Sequence, residues 1–102
     1  MTDLLIVDDH EIVRAGIKRL FEHTPNLNIV ADLSSGEEAY QFLHKNTVDV
    51  IIMDVSMPGK GGIETTNQIK KRYPKIKILM LSMHDNAMII EKAMKAGADG
   101  YI

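Results

Sequence analysis

The 102-residue sequence predicts one α/β domain built on a parallel sheet. Short, near-continuous apolar runs recur along it, as in strands covered on both faces. Between them lie helix-length segments with apolar residues three and four apart. The resulting order, β-α-β-α-β-α-β-α-β, requires right-handed crossover connections.

The elements follow in order. Residues 4–7 form the first apolar run. Ile12, Val13, Gly16, Ile17, Leu20 and Phe21 then share one face of a helix that stops near Thr24 and Pro25. Residues 28–33, "NIVADL", read as a second strand, and the polar Asn28 and Asp32 suggest a sheet edge. Ser35-Gly36-Glu37-Glu38 reads as a capping box, with Ala39, Phe42 and Leu43 following at helical spacing. Residues 48–53 form the third strand. Ile63, Thr66, Ile69 and Tyr73 mark a third helix, ended by Pro74. Residues 78–81 are the fourth strand. Ile90, Ala93, Met94 and Gly97 mark a fourth helix, capped by Asp85 or Asn86, and "DGYI" at 99–102 begins a fifth strand. A strand entering a sheet this way normally needs a covering helix after it, so the single domain spanning 1–102 is expected to be incomplete at its C-terminus.

Composition narrows the class. Apolar residues make up 45% and charged residues 25%, ordinary for a globular chain with one modest core. Twelve basic residues against fourteen acidic ones leave a net charge of −2, which does not suggest nucleic acid. With no cysteine there is no disulfide framework, thiolate chemistry or cysteine-bound zinc. The N-terminus has no basic region before its apolar run, and no segment approaches the roughly 18 apolar residues of a membrane span. A cytoplasmic location is expected.

In open α/β sheets function gathers at the carboxyl ends of strands. Here those ends carry Asp8 and Asp9, Asp32, Asp54 and Ser82. Strand order decides which of them meet. Adjacent strands lie about 4.8 Å apart, so Asp54 meets Asp8 and Asp9 in the doubly wound order 2-1-3-4-5, whereas a sequential order spreads them to about 10 Å. Converging carboxylates cannot all stay ionised without a counter-charge. A hard divalent cation answers that need, and an all-oxygen donor set favours Mg²⁺ or Mn²⁺ over zinc. Each residue alone has a plainer reading. Asp9 suits the N-cap of the first helix, Asp54 a turn residue before Pro58, and Ser82 a structural role. Their coincidence at one sheet edge points to a site.

At these residues the sequence resembles response-regulator receiver domains of the CheY-like, flavodoxin-like class. "IVDDH" at 6–10, "MDVSMPGKGG" at 53–62, "LSMHD" at 81–85 and "AGADGYI" at 96–102 carry the match over the whole chain. The wording around "DDH", "MPG" and "GADGY" is most similar to receivers attached to a LuxR-type helix-turn-helix output domain, the NarL/FixJ group. The resemblance implies that Asp54 is the phosphoacceptor, taking a phosphoryl group from a sensor histidine kinase through an acyl phosphate. It implies Mg²⁺ (or Mn²⁺) held by Asp9, Asp54 and the Ser56 backbone carbonyl, with Asp8 acting through water. Ser82 would hydrogen-bond the phosphoryl group and Tyr101 would be the switching aromatic. Pro58 and Gly59, with Gly61 and Gly62, would turn the loop sharply beside it.

It also implies a homodimer and DNA contact only through an output domain. One feature departs from the family. Receivers have a lysine shortly after the fifth-strand aromatic, then a last helix, and both fall beyond Ile102. Without them phosphorylation or switching should be poor.

The remaining features favour plain readings. Five of the eight residues 70–77 are basic, which suits the last turn of a helix better than nucleic acid. Lys60 in "PGKGG" does not satisfy the phosphate-loop pattern. His10 and His84 stand near the acidic edge, but His10, His23, His44 and His84 read first as surface residues. Met53, Met57, Met80 and Met83 read as packing. Two rivals to the receiver reading are a phosphorylation-incompetent interaction module and an aspartate-nucleophile phosphatase. The second usually wants another acid two residues after the nucleophile, where this chain has Ser56.

Overall fold

A computed structural model describes residues 1–57, 59–82 and 86–102. The apolar runs form strands β1 (Thr2–Val7), β2 (Leu27–Leu33), β3 (Val50–Asp54), β4 (Lys77–Leu81) and β5 (Gly100–Tyr101). Between them run α1 (Glu11–Phe21), α2 (Gly36–Phe42), α3 (Gly62–Arg72) and α4 (Ala87–Lys95). All five strands are parallel, in the order β2-β1-β3-β4-β5. This is the doubly wound order that the acid cluster needs. β2 lies at one edge, as Asn28 and Asp32 suggest, and its ladder with β1 shifts register by one residue at Val30. Such irregularities are commonest on edge strands.

Strand alternation splits the core into two layers. Leu5, Val7, Ile51, Met53, Ile78 and Met80 face Ala39 of α2, Ile69 of α3 and Ala93 of α4. Leu4, Ile6 and Ile52 face the other way, onto Ile17 and Phe21 of α1. Met53, Met57 and Met80 are core residues, while Met83 lies outside the described residues.

Helix starts follow their side chains. The Ser35 hydroxyl accepts the Glu38 N–H at 3.1 Å, completing the expected cap of α2. The Glu38 carboxylate reaches back one residue further than a simple capping box, accepting from the Ser34 N–H at 3.3 Å. For α4 the cap is Asn86, whose Oδ1 accepts the Met88 N–H at 2.9 Å; Asp85, the other candidate, lies outside the described residues. At the far end of the sheet, Lys70 donates to the carbonyls of Pro74 and Ile76 and pairs with Asp99 at 3.0 Å. Lys70, the first residue of the basic run 70–77, thus caps carbonyls just after α3.

One expectation is corrected. Ile12 and Leu20 are not on the buried face of α1 but are 87% and 73% exposed. Ile17 and Phe21, four apart, point at the sheet, and the line Ile12, Gly16, Leu20 runs one residue step, about 100°, round the helix. Met94 of α4 is likewise exposed rather than buried. No helix among the described residues is long and apolar enough to cross a membrane.

α3 starts hard against the end of β3. A Cβ at Gly62 would run into the Asp54 carbonyl oxygen and crowd the Val55 backbone. Gly62→Ala should therefore lower stability by about 1–3 kcal/mol, read as a lower urea midpoint at an unchanged slope.

Candidate acidic phosphoryl-transfer site

Two neighbouring ladders bring the acids together. β1 and β3 pair from Leu4↔Val50 to Val7↔Met53, so Asp8 and Asp54 stand one step beyond the last pair. The backbone beyond each strand is also held. Asp8 donates its N–H to the Leu33 carbonyl at 3.0 Å, and Val55 donates to the Leu81 carbonyl at 3.0 Å. Arg14 of α1 supports the same segment, donating from Nη1 to the Asp8 carbonyl at 2.6 Å and from Nε to Asp32 at 3.1 Å. Asp32 is therefore a partner of Arg14 and Lys18.

Asp8 and Asp54 are only 3% and 6% exposed. With Asp9 and His10 they present ligand-type atoms that all lie within 4.8 Å of one another. The His10 Nδ1 sits 2.8 Å from Asp8 Oδ1, 3.1 Å from Asp9 Oδ1 and 3.8 Å from Asp54 Oδ2. One hydrogen on Nδ1 cannot serve three carboxylates. Accordingly, Asp9 Oδ1 and Asp54 Oδ2 are buried without a hydrogen-bond partner among the described residues. A pocket of about 80 Å³ opens there, lined by Asp8, His10, Val13, Asp54 and Leu81. That is room for an ion and a water or two.

Charge follows from this crowding. Burial, and then the neighbouring Asp8 charge, push the Asp54 carboxyl up to about 6. The Ser56 N–H, donating to Asp54 Oδ1 at 3.2 Å, pulls the other way. The His10 imidazole is raised from its ordinary value by its hydrogen bond to Asp8 and by the Asp9 charge. Three carboxyl groups around one imidazole leave the pocket short of positive charge, which suits a divalent cation. The two orphaned oxygens are where such an ion would find ligands.

The other expected residues take their places at this edge, with differences. Asp9 does not cap α1; the N-cap position is His10, whose N–H donates to Asp8 Oδ1 at 2.8 Å. Asp54 does make the turn contact with Ser56, and it also lines the pocket. Ser82 is the first residue after β4 and is half-buried. Tyr101 pairs beside Met80 in β5, with its hydroxyl buried and lacking a hydrogen-bond partner among the described residues. Gly59 adopts φ +73°, which an L side chain rarely takes, and the adjacent Lys60 N–H donates to Glu37 of α2 at 3.1 Å. Lys60 itself reaches Gln68, not the pocket. Pro58 and His84 lie outside the described residues.

Sequence reasoning undervalued His10, whose ring is 59% exposed yet turns its Nδ1 inward. The adjacency "DDH" was the available signal. Arg14 was missed altogether, because nothing local marks a helix residue as the support of a distant carbonyl.

Comparison with known proteins agrees with this fold. The response regulator receiver domain profile matches residues 4–102. The chain belongs to the receiver domain family of response regulators. It is 45% identical over 102 residues to the response regulator UvrY of Escherichia coli (strain K12), covering all of this chain and 47% of that protein. A LuxR-family two-component response regulator from Aurantimonas sp. SI85-9A1 superposes with a TM-score of 0.93 at 40% identity, over 99% of this chain and 72% of that one. The isolated REC domain of RcsB from Salmonella enterica serovar Typhimurium, in the presence of phosphomimetic BeF3−, gives 0.91 at 30% identity, over 99% and 75%. The receiver spans about half the length of the curated relatives it matches. Receivers in general bind Mg²⁺ at an acidic pocket, and the donor set here has the composition for it.

The raised Asp54 carboxyl has a signed consequence for stability. From its ordinary value of 3.8 up to about 6 the folded chain holds a proton that the unfolded chain has released. Stability from this group is thus present below the ordinary value and lost as pH rises through about 6. In metal-free buffer Asp54→Asn should raise stability at pH 7 by roughly 1–3 kcal/mol, with the gain gone below about pH 4. Denaturant melts across that range measure it. Tyr101→Phe, which removes a buried hydroxyl without a partner among the described residues, should raise stability by up to about 1 kcal/mol, and a loss of that size would mean the hydroxyl is satisfied.

Proposed function

We propose that Asp54 is the phosphoacceptor of this receiver, with the phosphoryl group supplied by a phosphohistidine on a sensor histidine kinase. The observation that carries this is the Asp54 Oδ2 atom, buried, without a hydrogen-bond partner and lining the acid pocket. A carboxylate oxygen in that state is available for attack on phosphorus. The O–P bond forms as the donor N–P bond breaks, and the leaving imidazole nitrogen takes up a proton. Phosphoryl transfer asks mainly for positioning and charge neutralisation. Bound Mg²⁺ (or Mn²⁺) would offset the pocket's negative charge and the charge on the transferring oxygens.

In this reading Asp9 and Asp54 hold the ion with the Ser56 carbonyl, and Asp8 acts through water. Ser82 receives a phosphoryl oxygen, and Tyr101 answers the change. The orphaned Tyr101 hydroxyl supports that role, since an outward rotamer would give it a partner in solvent. Gly59 turns the loop, and the Glu37 contact with Lys60 steadies it. Phosphorylation then biases a pre-existing equilibrium at the α4 and β5 surface. The resulting signal passes to a homodimer contact and to a LuxR-type output domain that meets DNA, consistent with the response regulators it resembles. The reading treats residues 1–102 as the receiver unit and places the exchange in the cytoplasm. No independent turnover enzyme is expected.

Incubation with a labelled small phosphodonor and Mg²⁺ tests the assignment. The chain should take up label that is lost on Asp54→Ala, with circular dichroism confirming the variant's fold. Equal labelling of the two proteins would rule Asp54 out.

A further inference from the structure

We propose that His10 is a nitrogen ligand to the divalent ion of this pocket and shifts its preference from Mg²⁺ toward first-row transition ions. The inference rests on reading the pocket as an ion site, and it concerns a residue to which that reading gives no task. Neighbouring ligand atoms on an octahedral ion with bonds of about 2.1 Å stand about 3.0 Å apart, and opposite ones about 4.2 Å. The His10 Nδ1 is hydrogen-bonded to Asp8 Oδ1 at 2.8 Å and lies 3.1 Å from Asp9 Oδ1, the latter near the adjacent spacing of two ligands. Its 3.8 Å to Asp54 Oδ2 falls between the adjacent and opposite spacings. The nitrogen therefore already stands at a ligand's place in the set.

A second observation is a buried oxygen in the same pocket. Asp54, 94% buried by its 6% exposure, aims an oxygen into the pocket that no hydrogen bond satisfies. An ion bonded to Nδ1 and that oxygen would satisfy both ends at once. Ligand chemistry then sets the preference. Three carboxylates alone suit Mg²⁺, which keeps to oxygen and holds its waters, whereas an imidazole nitrogen is a better donor to transition ions than to Mg²⁺. The exposed ring face of His10 leaves the side chain free to adjust by the few tenths of an ångström that coordination asks.

Mn²⁺ is the probe, because electron paramagnetic resonance reads the free ion directly and pulsed measurements detect a bonded nitrogen. The chain should bind Mn²⁺ with nitrogen modulation in the pulsed spectrum. His10→Ala should abolish that modulation and weaken Mn²⁺ by roughly tenfold or more, while Mg²⁺, measured by competition, changes by less than about twofold. Circular dichroism checks that the variant folds. Mn²⁺ bound without nitrogen modulation, or His10→Ala binding it as tightly, would overturn the proposal and leave the carboxylate site standing. Mn²⁺ affinity unchanged in Asp9→Asn and Asp54→Asn would instead defeat the ion-site reading itself, and the proposal with it.

Discussion

Everything at the working edge of this domain depends on β1 and β3 being neighbours. Two parallel strands about 4.8 Å apart deliver Asp8 and Asp54 one step beyond their last ladder pair. Asp9 follows directly in the chain. The fold thereby concentrates negative charge where the sheet is least able to solvate it, and burial raises the Asp54 carboxyl in response. His10 relieves part of the strain by turning one nitrogen inward. One imidazole against three carboxylates leaves a deficit of positive charge. That deficit is what suits the pocket to a divalent cation.

The scaffold is arranged to hold this unfavourable cluster still. Ladder contacts from Asp8 to Leu33 and from Val55 to Leu81 run past the formal strand ends. Arg14 takes the Asp8 carbonyl from one side. On the other, Gly62 packs α3 directly on the Asp54 carbonyl, and Glu37 of α2 takes the Lys60 N–H. Each contact restrains the backbone, and none of them takes up Asp9 Oδ1 or Asp54 Oδ2. Asp54 Oδ2 and Asp9 Oδ1 remain unsatisfied for that reason. A protein that filled those valences internally would be more stable and less able to take a ligand.

Much of this was legible before any coordinates. The alternation of apolar runs with helical periodicity gave the element order, and the polar residues in 28–33 marked an edge strand that the sheet places there. Ser35 capped its helix as its spacing with Glu38 implied. Asp8, Asp9 and Asp54 stood out because carboxylates at strand ends follow apolar runs. Less legible was the packing of α1. Periodicity groups Ile12 with Ile17, yet only Ile17 meets the sheet. A stripe wider than the contact it serves leaves its margin in solvent, and the sequence does not say which margin.

By itself, the chain's local chemistry determined its elements, its caps and the inventory of acids at strand ends, because these depend on neighbours a few residues away. Tertiary structure decided which acids meet, since carboxylate separation is set by strand order across about 46 residues of chain between Asp8 and Asp54. It also decided that the His10 ring turns inward and that Arg14 braces a carbonyl. Those contacts depend on how α1 packs against the sheet, a property of the packed molecule and of no single segment.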